Sequence, residues 1–229
     1  MWLTTSSVGR KVIMSVTGIA LVLFLTFHAC MNVVALFSGD AYNMICEFLG
    51  SNWYAVAGTV VLVGLIALHF IYATILTLQN LKARGNNRYA VVETTAKVEW
   101  ASQNMFVLGL IVCLCLFLHL FNFWANMMGA EFYNVGMALV GDYEATDGAG
   151  LIQFTFGNPV YAVLYLVWLA ALWFHLSHGF WSAIQTLGVN NKVWFNRWKL
   201  IGNVYVTLVM LMFAAVVVYF ALGCKPICG

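Results

Sequence analysis

The sequence predicts an all-α membrane protein in which residues 1–229 form one domain with five transmembrane helices. Of the 229 residues, 63% are hydrophobic and only 8% are charged, whereas a soluble domain has about a quarter of its residues charged. The apolar residues form five runs, each longer than the roughly 20 residues that cross a bilayer as a helix. These runs lie near 12–37, 54–80, 100–128, 159–187 and 199–222. They lack the alternation of membrane strands, so helices are expected.

The first run resembles a signal peptide, because Arg10 and Lys11 precede it. It is too long for the apolar part of a signal peptide, and it lacks a small-residue cleavage site followed by polar sequence. We therefore expect it to be retained as the first transmembrane helix.

The basic residues predict the orientation of the chain. Nine of the ten Lys and Arg residues fall on one side of the five-helix topology: Arg10, Lys11, Lys82, Arg84, Arg88, Lys97, Lys192, Arg197 and Lys199. An excess of Lys and Arg marks the cytoplasmic side of a membrane. The amino terminus is thus expected inside and the carboxyl terminus outside. A net charge of +2 is too small to indicate nucleic-acid binding.

Two segments between the runs are expected at the outer face. Residues 38–50 contain Tyr42, Ile45, Phe48 and Leu49 with polar residues between them, as is typical of a short interfacial helix. Residues 129–158 form the longest non-spanning stretch, carry no Lys or Arg, and are expected to form an outer cap. Cys224 and Cys228 also fall on this side, and the sequence leaves open whether they form a disulfide.

Histidines inside the apolar runs are the main functional signal. His28, His69, His119 and His175 lie in four different runs, and His178 follows one turn after His175. A single histidine in a membrane helix is most simply a hydrogen-bonded packing residue or part of a proton relay, but such residues are costly and usually functional. Four of them, one per helix, supply the ligands for two bis-histidine haem sites in a helical bundle. Zinc is less favoured, because its sites cluster Cys, His and carboxylate ligands.

The depth of each histidine follows from its distance to basic residues at the cytoplasmic side, at about 1.5 Å per residue. On this scale His28 and His119 form an outer pair, and His69 lies in the inner half of its helix. Depth alone allows either His175 or His178 as the inner partner of His69.

Glycines are spaced regularly from two of these histidines. Gly18 lies ten residues before His28, and Gly109 lies ten before His119. Ten residues rise about 15 Å, which places both glycines at the level of the inner pair, where the missing side chain would let a porphyrin approach the backbone. Gly58 is the corresponding candidate at the outer level. Alternatively, these glycines serve only helix packing.

Seven stretches together carry a resemblance that covers essentially the whole chain. They are 7–11 (SVGRK), 15–18 (SVTG), 27–32 (FHACMN), 68–72 (LHFIY), 118–121 (LHLF), 174–182 (FHLSHGFWS) and 185–188 (QTLG). In this order they resemble the single-chain, five-helix, di-haem cytochrome b anchor subunit of succinate dehydrogenase and quinol:fumarate reductase.

The resemblance implies that four of the helices form a haem-binding bundle with two haem b groups. It implies that His28 and His119 ligate the outer haem iron, and that His69 and His175 ligate the inner one. His178 would then lie near the inner haem edge or a propionate. Ser15, together with Arg10 and Lys11, would meet the inner haem propionates or a partner subunit. All of these roles rest on the sequence motifs alone.

The family also implies partners, a quinone and a location. An iron–sulfur subunit would dock at the cytoplasmic face, and an FAD-containing flavoprotein subunit would interconvert succinate and fumarate in either direction. This chain would take part in that enzyme as its electron-transfer and quinone-reactive subunit, in the cytoplasmic (inner) membrane among its lipids. Menaquinone is the quinone that the resemblance favours.

Quinone chemistry needs a group that exchanges protons beside the ring. Glu47, in the predicted outer interfacial segment, is the candidate, and the alternative is a solvated loop acid. Asn32 and Trp124 are expected to line the same pocket.

Two other classes of function compete with this interpretation. The first is another di-haem cytochrome b, such as the membrane subunit of a hydrogenase or formate dehydrogenase. The second is a transporter or a haem-less structural anchor. The scarcity of charged residues inside the five runs argues against an ion-coupled transporter.

Overall fold

Helices make up almost all regular structure in the computed structural model, which describes residues 2–50, 52–84, 99–133, 137–189 and 191–227. No strand occurs within these ranges; one isolated bridge joins Met137 and Glu144. The α-helices are α1 (Trp2–Thr5), α2 (Ser7–Phe37), α3 (Gly39–Gly50), α4 (Trp53–Arg84), α5 (Trp100–Gln103), α6 (Met105–His119), α7 (Ala130–Phe132), α8 (Gly148–Gly157), α9 (Pro159–Thr186) and α10 (Phe195–Ala221). A π-helix, Leu120–Gly129, connects α6 to α7. Arg88, Lys97 and Cys228 lie outside the described residues.

Five helical segments within the described residues are long and apolar enough to cross a membrane. They are α2, α4, the continuous run Met105–Phe132, α9 and α10. The predicted number and order of spanning helices are thus confirmed. Local capping moves some of their ends: Ser6 accepts a hydrogen bond from the Gly9 amide (2.9 Å), so α2 begins before the apolar run. Asn158 caps α9, and Pro159 occupies its first turn.

The third spanning segment differs from a plain α-helix. Its π-helix begins directly after His119, and π-helical turns are rare and frequent at functional sites. Asn126, which is fully buried, donates to the carbonyl of Phe121 (2.8 Å) five residues before it. The amide of Val140 in turn donates to the Asn126 side chain (3.0 Å), which ties the outer loop to the helix. The apolar pattern of the sequence did not predict this change of helix type.

Helices α3 and α8 dock on each other at one end of the bundle. Asp147 caps α8 by accepting from the Gly150 amide (2.9 Å), and it also accepts from Asn43 Nδ2 on α3 (2.9 Å). The Asn43 side chain accepts from the Ala149 amide (2.9 Å). The predicted helix over 38–50 is therefore present as α3, and the predicted cap over 129–158 includes α8.

The absence of a side chain at Gly148 allows α3 and α8 to pack closely. A larger residue at this position is therefore expected to lower the stability of the protein. A Cβ on Gly148 would lie 2.5 Å from Cys46 Sγ and 3.0 Å from Met127 Cε. We expect Gly148→Ala to destabilise the protein by about 1–3 kcal/mol, because overpacking a tight contact forces its neighbours apart. The measurement is thermal unfolding of the purified protein in detergent. Gly157→Ala is the matched control on α8, since its own helix backbone apart, no atom of the described chain lies within 4 Å of its Cβ position. Equal melting temperatures for the two variants would contradict the prediction.

Four of the spanning segments form a ring. Helix α2 packs against α4 and α9, α9 packs against α6, and α6 lightly contacts α4. Helix α10 lies outside this ring and packs on α2, α8 and α9. Its buried residues, including Val206 and Phe220, join the main apolar core with Ile152 of α8. All four histidines of the apolar runs belong to the ring helices, and α10 carries none.

Candidate functional site

The two histidines predicted for the outer level lie opposite each other across the ring, with their planes nearly perpendicular. His28 on α2 and His119 at the end of α6 have ring centroids 5.7 Å apart, with the ring planes at 84°. Phe24 stacks on His28, with centroids 5.6 Å apart. Trp168, on α9, lies 5.6 Å from His119 by the same measure. The outer pair is thus enclosed by aromatic side chains from neighbouring helices.

The inner histidines form a second pair. The rings of His69 on α4 and His175 on α9 have centroids 6.4 Å apart, with the planes at 68°. Depth alone left His178 as an alternative, but it is His175 that the structure brings to His69. Gly18 is ten residues before His28 and touches His69, so the two pairs are separated by about 15 Å along α2.

The spacing within each pair fits two ligands on opposite sides of one metal. A ligating imidazole nitrogen lies about 2 Å from its metal, so its ring centre lies about 3 Å away and two such rings are about 6 Å apart. The observed centroid distances are 5.7 and 6.4 Å. No group of three or more His, Cys, Asp or Glu side chains able to hold a metal occurs in the described ranges. A haem needs only two protein ligands, because the porphyrin supplies the other four nitrogens.

Unpaired polar atoms also surround the pairs. His119 Nδ1, His175 Nδ1 and Trp168 Nε1 are buried without a hydrogen-bond partner in the part of the chain that the structure describes. Buried polar groups in proteins are nearly always paired, so each exception needs an explanation. Two imidazole pairs whose ring nitrogens are not all engaged by protein hydrogen bonds in the described ranges form a donor set compatible with haem.

Glycines face both inner histidines. A Cβ on Gly18 would lie 3.2 Å from His69 Cε1, and a Cβ on Gly109 would lie 3.3 Å from His175 Cε1. The glycines lie at the inner level expected from their spacing, but the side chain packed on each is an imidazole. Around the Cβ position of Gly58, no atom from the described ranges other than its own helix backbone lies within 4 Å.

Thr17 fixes the ring of His69. Its Oγ1 lies 3.1 Å from His69 Nδ1 and is also 2.8 Å from the carbonyl of Ile13 and 3.1 Å from that of Met14. When the hydroxyl donates to one of these two carbonyls, its oxygen can accept from His69 Nδ1–H. Nε2 of His69 then keeps its lone pair for a metal. The sequence analysis did not single out Thr17, which is buried.

A second chain of polar contacts leads from the outer pair to α3. Asn32 Nδ2 donates to the carbonyl of His28 (2.8 Å) and lies 3.4 Å from His28 Nδ1. The Tyr42 hydroxyl donates to Asn32 Oδ1 (3.3 Å). Burial raises the pKa of Tyr42 well above its ordinary value, and burial raises the pKa of Cys46 beside it to about 11. Both groups therefore keep their protons at neutral pH.

His178 belongs to an ionic cluster at the opposite end of the bundle. Its Nδ1 lies 3.4 Å from Glu99 Oε2, and Lys199 Nζ donates to Glu99 Oε1 (2.6 Å). The hydrogen bond from Lys199, followed by the contact with His178, lowers the pKa of Glu99. Trp181 contacts both residues that bind Glu99: its ring centroid lies 4.8 Å from that of His178 and 4.5 Å from Lys199 Nζ.

The remaining sequence candidates differ in their exposure. Glu47 is exposed on α3, and Trp124 is 41% exposed in the π-helix. Ser15 is buried on α2, two residues before Thr17. Arg10 Nε donates to the carbonyl of Thr4 (2.9 Å).

Comparison with protein-family models, with curated proteins and with solved structures gives no match to this chain.

Proposed function

We propose that this chain is a membrane cytochrome b that holds two haem b groups, one between His28 and His119 and one between His69 and His175. The observation that carries the proposal is the presence of two imidazole pairs within one helical ring, with centroid distances of 5.7 and 6.4 Å. When bound, bis-histidine haem supplies one-electron transfer without an open coordination position.

The chain's own residues have distinct tasks in this proposal. Each pair of imidazoles holds one iron, and the ring helices exclude water around it. Gly18 and Gly109 leave room for the inner imidazoles, whose Cε1 atoms lie 3.2 and 3.3 Å from the Cβ positions. The two sites are about 15 Å apart along the helices, and haem groups held there would supply electron transfer between the two ends of the bundle.

The proposed complex is a succinate:quinone oxidoreductase, as the sequence motifs suggest. The amino terminus would lie in the cytoplasm and the carboxyl terminus outside, in the cytoplasmic membrane. An iron–sulfur subunit would deliver or receive electrons at the inner end, where α1 and the Glu99–Lys199 ion pair lie. A flavoprotein subunit with FAD would carry the succinate chemistry, and menaquinone would react near the outer haem.

The test is to purify the complex from membranes and add possible electron donors anaerobically. We expect succinate to reduce the b-type absorption bands and an iron–sulfur and a flavoprotein subunit to copurify. Reduction by hydrogen or formate, with no reduction by succinate, would instead assign the chain to a hydrogenase or formate dehydrogenase. Absence of b-type bands in the intact complex would reject both cytochrome proposals.

Glu47 is the proposed proton-exchanging residue of the quinone site, with Asn32 and Trp124 nearby on the same outer side. We expect Glu47→Gln to lower quinone-linked turnover at least ~10-fold, the usual scale for loss of an acid–base group being 10²–10⁴. Both haems and the dye-linked succinate activity should be unchanged. Glu144→Gln, in the loop before α8, is the control. Normal quinone turnover in Glu47→Gln would remove this residue from the mechanism.

A further inference from the structure

The inner site has two halves with the same glycine–histidine contact, and the halves differ at one residue. Helices α2 and α6 each present a glycine to an inner histidine and carry an outer histidine ten residues later. The contacts are closely equivalent: the Cβ position of Gly18 lies 3.7 Å from His69 Nδ1, and that of Gly109 lies 3.7 Å from His175 Nδ1. The two halves of the site are therefore related by an approximate two-fold arrangement.

The difference lies in the residue before each glycine. Thr17 precedes Gly18, and its hydroxyl oxygen lies 3.1 Å from His69 Nδ1. Leu108 precedes Gly109, is buried, and has no hydrogen-bonding side chain. In agreement, His175 Nδ1 is buried without a partner in the described part of the chain, whereas His69 Nδ1 is hydrogen-bonded.

We infer that Thr17 is a positioning residue for the inner haem site, which holds His69 as the Nδ1–H tautomer and makes the two axial imidazoles of that haem unequal. The inference rests on the proposed haem function. The carbonyls of Ile13 and Met14, at 2.8 and 3.1 Å, can take the hydroxyl proton of Thr17, which leaves its oxygen to accept from His69 Nδ1–H when Nε2 binds iron.

The physical consequence is a shift in redox potential. An acceptor that binds the non-ligating N–H of a ligating imidazole fixes the ring and raises its basicity as a ligand. A more basic ligand stabilises the oxidised iron, so Thr17 lowers the potential of the inner haem, and second-shell hydrogen bonding is one of the established ways in which a protein tunes haem. His175, with no acceptor, contributes no such term.

The experiment compares four variants of the full complex by redox titration and haem content. Thr17→Val removes the hydroxyl at nearly constant shape, and Thr17→Ser keeps it. Leu108→Thr places a hydroxyl at the equivalent position facing His175. Thr74→Val is the matched control, because the Thr74 hydroxyl makes the same type of bond to a helix carbonyl, that of Phe70 (3.0 Å).

The expected change in the midpoint potential of the inner haem differs in sign between variants. Thr17→Val should raise the midpoint potential of the inner haem or release that haem, Thr17→Ser should retain the wild-type value, and Leu108→Thr should lower it. The outer haem should keep its potential in all four variants, and Thr74→Val should change neither haem.

Three outcomes would overturn the inference. They are an unchanged inner potential in Thr17→Val with the haem retained, loss of the haem in both Thr17→Ser and Thr17→Val, or equal shifts in Thr17→Val and Thr74→Val. A wild-type complex without two haems would instead refute the proposed function and the inference with it, so the two failures are distinguishable.

Discussion

Replacing His119 with alanine is expected to reduce the haem content from two groups per chain to one, and the haem that is lost should be the outer one. The reason is geometric: His28 is the only imidazole that faces His119 within the described residues, with ring centroids 5.7 Å apart. A haem held by one remaining imidazole loses its low-spin character and its affinity. The measurement is the haem content with a low-temperature spectrum of the purified complex.

Each of the other three proposed ligands is also expected to be needed for one haem, and His178 serves as the control. His28→Ala should resemble His119→Ala, whereas His69→Ala and His175→Ala should each remove the inner haem. His178→Ala should retain both haems, because His178 contacts Glu99 and Trp181. Loss of the inner haem in His178→Ala, with its retention in His175→Ala, would contradict the assignment of the ligand on α9.

Leucine at Gly18 or Gly109 should also abolish the inner site while sparing the outer one. Even a Cβ at these positions would lie only 3.2 or 3.3 Å from the Cε1 atom of the facing imidazole, and a full leucine side chain would displace the ring by far more. An imidazole moved by about 1 Å no longer reaches the iron, since metal–nitrogen bonds vary by only ~0.2 Å. Haem content should fall to one per chain.

Gly64→Leu is the control for these variants. Gly64 lies on α4, the helix that carries His69, and no atom of the described residues outside its own helix backbone lies within 4 Å of its Cβ position. We expect this variant to bind both haems as the wild type does. Equal loss of haem in Gly64→Leu and Gly109→Leu would show that the effect arises from general destabilisation of the membrane helices, and would reject the proposed role of the glycines.

The spanning helices were predictable from the sequence because the bilayer imposes a simple length and polarity requirement on each one. The helical rise and the basic residues that flank the apolar runs were enough to pair His28 with His119. The rise did not choose between His175 and His178, which differ by one turn; the resemblance to the cytochrome b family favoured His175, whose ring lies beside that of His69.

Other features depend on contacts that a linear pattern does not encode. Thr17 occurs in the SVTG stretch, where a threonine inside an apolar run is common, and only packing of α4 on α2 brings it to His69. The π-helix after His119 follows from side-chain bonds of Asn126 to Phe121 and to the outer loop. Two asparagines in an apolar run, Asn122 and Asn126, were the available signal for it, because polar groups in a span usually have a specific partner.

The central claim, two bis-histidine haems on one chain, is tested most directly by a pyridine haemochrome assay of the purified wild-type protein against its measured chain concentration. The proposal predicts two haem b groups per chain, with both signals in the low-spin region of the electron paramagnetic resonance spectrum, as expected for two axial imidazoles. Fewer than two haems per intact chain, or a high-spin signal from either one in the undamaged complex, would contradict it.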